Sequence, residues 1–252
     1  MIDYLYDGSF DGLLTAVYAS YYEEKAQGIF PQAAYQNNFF VPSRTVETDL
    51  VKAEKVYHAI ERKISDLSLK HIFYTYLSNE ANKETKILNY LQLGFKLGRQ
   101  IDDLHAQPEV LPIRQTARKV SFEAERFLGL LRFKDTGSFL YAVLEPDHHI
   151  LILLADHFAD RLAQERFIIH DRKRGLAVVS NCQDWYITDF PEEIGFTYSE
   201  QEKDYQELWR LYFSQISIEN RKNKKLQTQF VPHRYRRHLT EFTTGYSDKN
   251  IN

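Results

Sequence analysis

The chain has 252 residues, 43% hydrophobic and 27% charged, with a formal net charge of −3. That length allows one large domain or two packed subdomains with a substantial core, and the slightly acidic total excludes attraction of nucleic acid by a global basic field. One cysteine, Cys182, excludes a disulfide framework and a four-cysteine metal or iron–sulfur site within one chain.

The opening MIDYLYDGSFDG carries early acids and no basic run, so no signal peptide is expected. No apolar run approaches the ~20 residues of a membrane span, and the expected location is cytoplasmic with no membrane partner. Ile2 to Tyr6 predicts a short strand, and Ser9 a helix cap ahead of the stripe Phe10, Leu13, Leu14, Val17, Tyr18 and Tyr21. Asn38 to Val41 is a candidate strand before Pro42. Asp49 caps a helix with Ala53, Val56, Tyr57, Ile60 and Ile64 on one face. Three more apolar stripes follow, around Leu69 to Leu77, Ile87 to Phe95 and Ala117 to Leu131.

The period then changes. Leu130 to Lys134 and Ser138 to Leu144 flank Asp135-Thr136-Gly137 as a hairpin. Ile150 to Ala163 returns to helical spacing. Arg166 to His170 and Leu176 to Ser180 form a second hairpin, and Asp184 to Thr188 a last strand. Ser199 and Glu202 make a capping-box pattern before a helix carrying Tyr205, Leu208, Trp209, Tyr212, Phe213 and Ile216. The expected fold is α+β: a helical N-terminal half, a small antiparallel sheet with a crossing helix, and a helical basic C-terminus. The organisation expected is a helical subdomain over residues 1–128 and a sheet-plus-helix subdomain over 129–252, with one continuous domain as the alternative.

Charge is concentrated in one place. Asn220 to Thr240 holds Arg221, Lys222, Lys224, Lys225, Arg234, Arg236 and Arg237 and no acid, which leaves the remainder strongly acidic. With Tyr235 interleaved, the run suits phosphate contact and stacking on nucleic acid; the alternative is a clamp onto the acidic body of the same protein. A second basic cluster, Arg172, Lys173 and Arg174, sits in the hairpin turn, with Arg132 and Lys134 on the same half. His157 and Arg161 lie one helical turn apart and could pair a general acid–base with a phosphate-binding arginine. The alternatives there are a structural ionic network or a metal held by His and Asp; no metal site and no cofactor is assigned. Tyr205, Trp209, Tyr212 and Phe213 have the spacing of a packing stripe, so core burial is expected of them and of Phe39-Phe40.

Three segments carry a resemblance. The opening YDGSFDGLLTAVYASYYEE, the middle LLRFKDTGSFLYAVLEPDHHILILLADHFADRL and the end LWRLYFSQISIENRKNKKLQTQFVPHRYRRHLTEF are similar to a bacterial family of DNA-metabolism or DNA-repair proteins. The family departs here in one place: Leu130 stands where an aromatic is expected after Gly129. The resemblance implies DNA as a partner and work beside a radical-SAM enzyme, since family members are encoded next to such a protein and a related domain is fused to uracil-DNA-glycosylase-like proteins. It implies no reaction. Three functions follow: a DNA-binding accessory factor for a radical-SAM partner, a DNA-acting enzyme using His157 and Arg161, or a protein–protein adaptor without DNA affinity.

Overall fold

The computed structural model describes residues 1–36, 39–191, 195–216 and 223–243. The chain forms two compact units, Met1–Phe122 and Glu123–Asn252. The change of unit falls inside one helix, α5 (Leu111–Leu130).

In the first unit, β1 (Ile2–Tyr6) is the centre of a three-stranded parallel sheet. It pairs with β2 (Ala26–Pro31) on one side and β3 (Ser43–Thr45) on the other. Every residue of β1 is buried, as a parallel strand covered on both faces requires. Between β1 and β2 runs α1 (Phe10–Tyr22); α2 (Leu50–Lys63), α3 (Asp66–Leu77) and α4 (Lys83–Leu97) follow β3. The starts of these helices are local chemistry. Ser9 Oγ accepts from the Gly12 amide, Asp49 from Val51 and Lys52, and Ser65 from Ser68. A Cβ at Gly12 would crowd the Asp7 carboxylate that holds Ser9, so glycine leaves this cap undisturbed. A single core joins sheet and helices through Tyr4, Leu13, Ile29, Ile60, Ile72 and Leu88. Tyr6 adds a long-range polar tie, donating its hydroxyl to buried Glu84 at 3.1 Å.

In the second unit, β4 (Phe133–Asp135), β5 (Leu140–Leu144), β6 (Phe167–Asp171), β7 (Leu176–Ser180) and β8 (Trp185–Asp189) form one sheet in sequence order. The α+β class is as expected, with two corrections of detail. The helical first half also contains the β1–β3 sheet. The second sheet is mixed rather than antiparallel, because β5 and β6 run parallel, joined by α6 (Leu151–Arg161) as a crossover helix. The antiparallel pairings β4–β5, β6–β7 and β7–β8 follow the expected hairpins and last strand. In the β6–β7 turn Gly175 takes φ +63°, a left-handed conformation that favours glycine. After the sheet come α7 (Glu200–Gln215), α8 (Lys224–Phe230) and a 3-10 turn over His233–His238. Ser199 caps α7, but Glu202 does not close the box. Its carboxylate accepts instead from the Asp135 amide at 2.8 Å and from Gln206 at 2.7 Å, fastening α7 to β4.

Among the described residues, no helix is long and apolar enough to cross a membrane.

Candidate nucleic-acid interface in the C-terminal unit

The 3-10 turn is built around Tyr235. Its ring is buried edge-on against Phe127, centroids 4.8 Å apart, and its hydroxyl donates to Glu123 in a short hydrogen bond. Glu123 also accepts from the backbone amides of Asp147 (2.8 Å) and His148 (2.7 Å), so one buried carboxylate gathers three donors. Tyr235 is therefore an anchor rather than a free stacking ring. Once it is fixed, its arginine neighbours are aimed.

Arg234 reaches Asp147 at 2.8 Å, and Arg237 reaches Glu145 at 2.9 Å. His238 contacts the other Glu145 oxygen at 3.1 Å. Arg236 turns inward, donating to the Val231 carbonyl and the Thr228 hydroxyl while its guanidinium lies over Phe242. The hairpin cluster divides in the same way. Arg174 binds Asp171 at 2.8 Å and the carbonyls of Asp147 and Pro146, while Lys173 stays half exposed, 3.9 Å from Asp147. Arg132 makes a two-pronged contact with Glu241, at 2.7 and 3.2 Å, and Trp209 Nε1 donates to the same carboxylate. Much of the basic segment thus meets acidic residues of its own unit.

These contacts move proton affinities. Burial opposes ionisation of Glu145 and Glu241, but hydrogen bonds from His238 and Arg237 in the first case, and from Arg132 and Trp209 in the second, outweigh it and hold both carboxyls below their usual range. Burial pushes His238 below the ordinary histidine value despite its bond to Glu145.

Beside this network lies a cavity of about 70 Å³, room for a few water molecules. Arg132, Lys134, Arg237 and His238 supply basic groups, and Tyr141, Gln206, Thr240 and Thr243 hydroxyls and an amide. Lys134 makes no ion pair among the described residues; its ammonium sits 4.9 Å from the centre of the Tyr198 ring. Tyr141 is tied down by a 2.8 Å hydrogen bond to His170, and burial raises its phenol to about 12, so it remains neutral.

The apolar stripe of α7 departs from expectation. Tyr205, Leu208, Trp209, Tyr212 and Ile216 are exposed, as is Leu211, while Phe213 is half-buried against Phe242; the rest of the unit meets the helix mainly through Glu202, Gln206, Trp209, Arg210 and Phe213. Helical periodicity shows that a face is apolar, not that the fold covers it. Phe39 and Phe40 are likewise exposed instead of buried, and the strand there is β3, beyond Pro42.

Of the remaining sequence candidates, Lys224 and Lys225 are exposed at the start of α8. Arg172 lies in the β6–β7 turn, its amide bonded to the Leu144 carbonyl. Arg221 and Lys222 lie outside the described residues. His157 and Arg161 stand exposed on α6 and line neither this cavity nor the one in the first unit. Neighbouring Asp156 is spent on Trp185, whose indole donates to it at 2.9 Å. Among the described residues, no group of three His, Cys, Asp or Glu is placed to hold a metal ion.

A family model for a domain of unknown function, DUF4130, matches residues 81–241. The chain belongs to the DUF4130 family. The DUF4130 span takes in the whole second sheet, α7 and the arginine-bearing turn, so both partners of the Arg132–Glu241 and Arg237–Glu145 pairs lie within it. Searches of curated proteins and of solved structures gave no match.

Proposed function

We propose that this DUF4130 protein binds DNA as an accessory factor of DNA metabolism, gripping the backbone with its C-terminal unit. The observation that carries the proposal is the cavity that Lys134, without a carboxylate partner, lines together with Arg237, whose side chain is 64% exposed despite its contact with Glu145. An uncompensated cation beside hydroxyl donors suits a phosphate oxygen better than water alone. Lys224 and Lys225, exposed at the start of α8, add further cations to the unit. The exposed aromatics of α7 supply the second requirement for a single strand, since bases stack on such rings without sequence preference. Trp209 already carries the Arg132 guanidinium 5.3 Å from its ring centre and lies 5.8 Å from Tyr212. The resemblance of the sequence to DNA-metabolism proteins supports the same partner, and a radical-SAM enzyme as the protein it serves.

The experiment is a salt titration of binding to labelled single-stranded and duplex DNA, wild type beside Lys134→Glu/Arg237→Glu. Wild type should bind with strongly salt-dependent affinity. The variant should lose about tenfold or more per contact, with the log–log salt slope shallower by about one for each lost phosphate contact. Salt-independent binding, or equal binding by the variant, would overturn the proposal.

One observation favours a second reading. The α7 stripe also includes Leu208, Leu211 and Ile216, which do not stack on bases and suit a protein partner. A Leu208→Ser/Leu211→Ser variant that keeps DNA affinity but loses a co-purifying protein would assign the stripe to an adaptor role.

A further inference from the structure

The first unit holds a larger cavity, of about 480 Å³, among α3, the segment between α4 and α5, and the start of α5. That volume falls in the roughly 300–1,000 Å³ range of small-molecule sites. Its basic side chains are Lys70, His71, His105, Arg114 and Arg118, and no Asp or Glu lines it. Helix geometry assembles the set. Leu67, Lys70, His71 and Tyr74 fall on one face of α3, and Leu111, Arg114, Gln115 and Arg118 on one face of α5.

The groups differ in how they are held. Arg114 is fixed by donating to the Asp102 carbonyl at 2.9 Å, and the Asp102 carboxylate accepts from Ser68 at 3.0 Å. Arg118 and Lys70 extend over rings, 4.9 Å from the centre of Phe122 and 5.4 Å from that of Tyr74. His71 Nδ1 is buried with no hydrogen-bond partner among the described residues. Burial first, then Arg114 and Lys70, push His71 below the usual histidine value, while Asp102 opposes them. His71 therefore stays neutral beside the cavity, its Nδ1 closed off from solvent. Leu67, Tyr74, Leu111 and Ala117 form an apolar wall beside the cations.

Cations and an aromatic, apolar wall lining one cavity fit an anion joined to a planar ring. We propose that this cavity binds one nucleotide, its phosphate held by Lys70, Arg114 and Arg118 and its ring against Tyr74 and Leu111. The nucleotide is either free or the 5′-phosphorylated end of a strand. The site lies wholly within the first unit and stands independently of the DNA grip proposed for the second.

The test is calorimetric titration of the full chain carrying Lys134→Glu/Arg237→Glu, so that the second unit's surface does not contribute. The probes are thymidine 5′-monophosphate, thymidine and inorganic phosphate. Thymidine monophosphate should bind saturably and at least about tenfold tighter than either fragment, and Lys70→Gln and Arg118→Gln should each weaken it about tenfold. Both side chains are exposed, so the variants should fold as the parent does. Arg118→Lys should retain most of the affinity. Displacement by a 5′-phosphorylated oligonucleotide but not by its 5′-hydroxyl counterpart would identify a strand end; displacement by neither would identify a free nucleotide, and both support the site. No binding, phosphate alone binding as tightly, or indifference to both substitutions would overturn it.

Discussion

One basic cluster in each unit is held in the opposite way to the other. In the second, arginines are matched to carboxylates: Arg132 to Glu241, Arg174 to Asp171, Arg234 to Asp147, Arg237 to Glu145. In the first, Lys70, Arg114 and Arg118 line a cavity into which no carboxylate faces. A cation that meets an acid of its own unit mainly holds the fold together, whereas one that meets none keeps its field for a ligand. The density of positive charge along the sequence does not separate these cases; its pairing in space does.

The largest effect expected from breaking this division is at Arg174. Asp171 is fully buried, and burial raises its pKa although Arg174 opposes the shift. Replacing Arg174 by Met leaves that carboxylate without its cation and removes donors from the Asp147 and Pro146 carbonyls. A loss of about 3 kcal/mol in stability is expected from the urea midpoint. A loss below about 1 kcal/mol would show that Arg174 is not structural and return it to the phosphate-contact set.

Tyr235→Phe should cost less, about 1–2 kcal/mol. It removes one hydrogen bond to Glu123 while the carboxylate keeps its two backbone donors. DNA affinity should fall with it, because the turn that aims Arg234 and Arg237 loses its anchor. Stability loss with unchanged affinity would dissociate the turn from binding.

What the sequence made legible was local. Ser9, Asp49 and Ser199 cap helices as their spacing predicts, and both expected hairpins pair, although the first strand starts only at Phe133 and takes in Asp135 from the expected turn, Leu130 belonging to α5. The run from Asn220 to Thr240 was visible as charge, but its acceptors Glu123, Glu145 and Asp147 lie on the far side of the sheet in sequence, so the clamp was one alternative among others. The first-unit cavity gave no signal at all, because its basic residues come in ones and twos from α3, a connecting segment and α5 rather than in a run. Exposure of α7 was also hidden, since an apolar stripe reads the same whether or not a neighbour covers it.

A smaller effect should follow pH. Burial depresses His238, with Glu145 opposing it and Arg237 and Arg172 assisting, and it depresses His71 in the first unit. In both cases the unfolded chain takes up protons that the folded chain refuses. Stability is therefore full above the ordinary histidine value of 6.5 and declines as pH falls below it. Depressed Glu145 and Glu241 extend the decline below 4.5, the ordinary glutamate value. Denaturant midpoints measured across this range should fall toward acid, and His238→Gln should flatten the upper part of the decline. A midpoint that rises between pH 6.5 and 5.5 would contradict the depressed histidines.

The smallest effect is expected at His157. The ring is exposed on α6, next to Phe158 but outside both cavities, so His157→Ala should change stability by less than about 0.5 kcal/mol. That near-neutrality makes the substitution a clean probe of the enzymatic alternative. If the protein turns over DNA through a general acid–base at His157, the variant keeps its fold and its DNA affinity but loses turnover. If the residue is only surface, folding, binding and any activity present in wild type all survive. The first outcome would move the chemistry to α6, away from both cationic sites; the second would leave the pairing of charge in the two units as the feature that organises this molecule's binding.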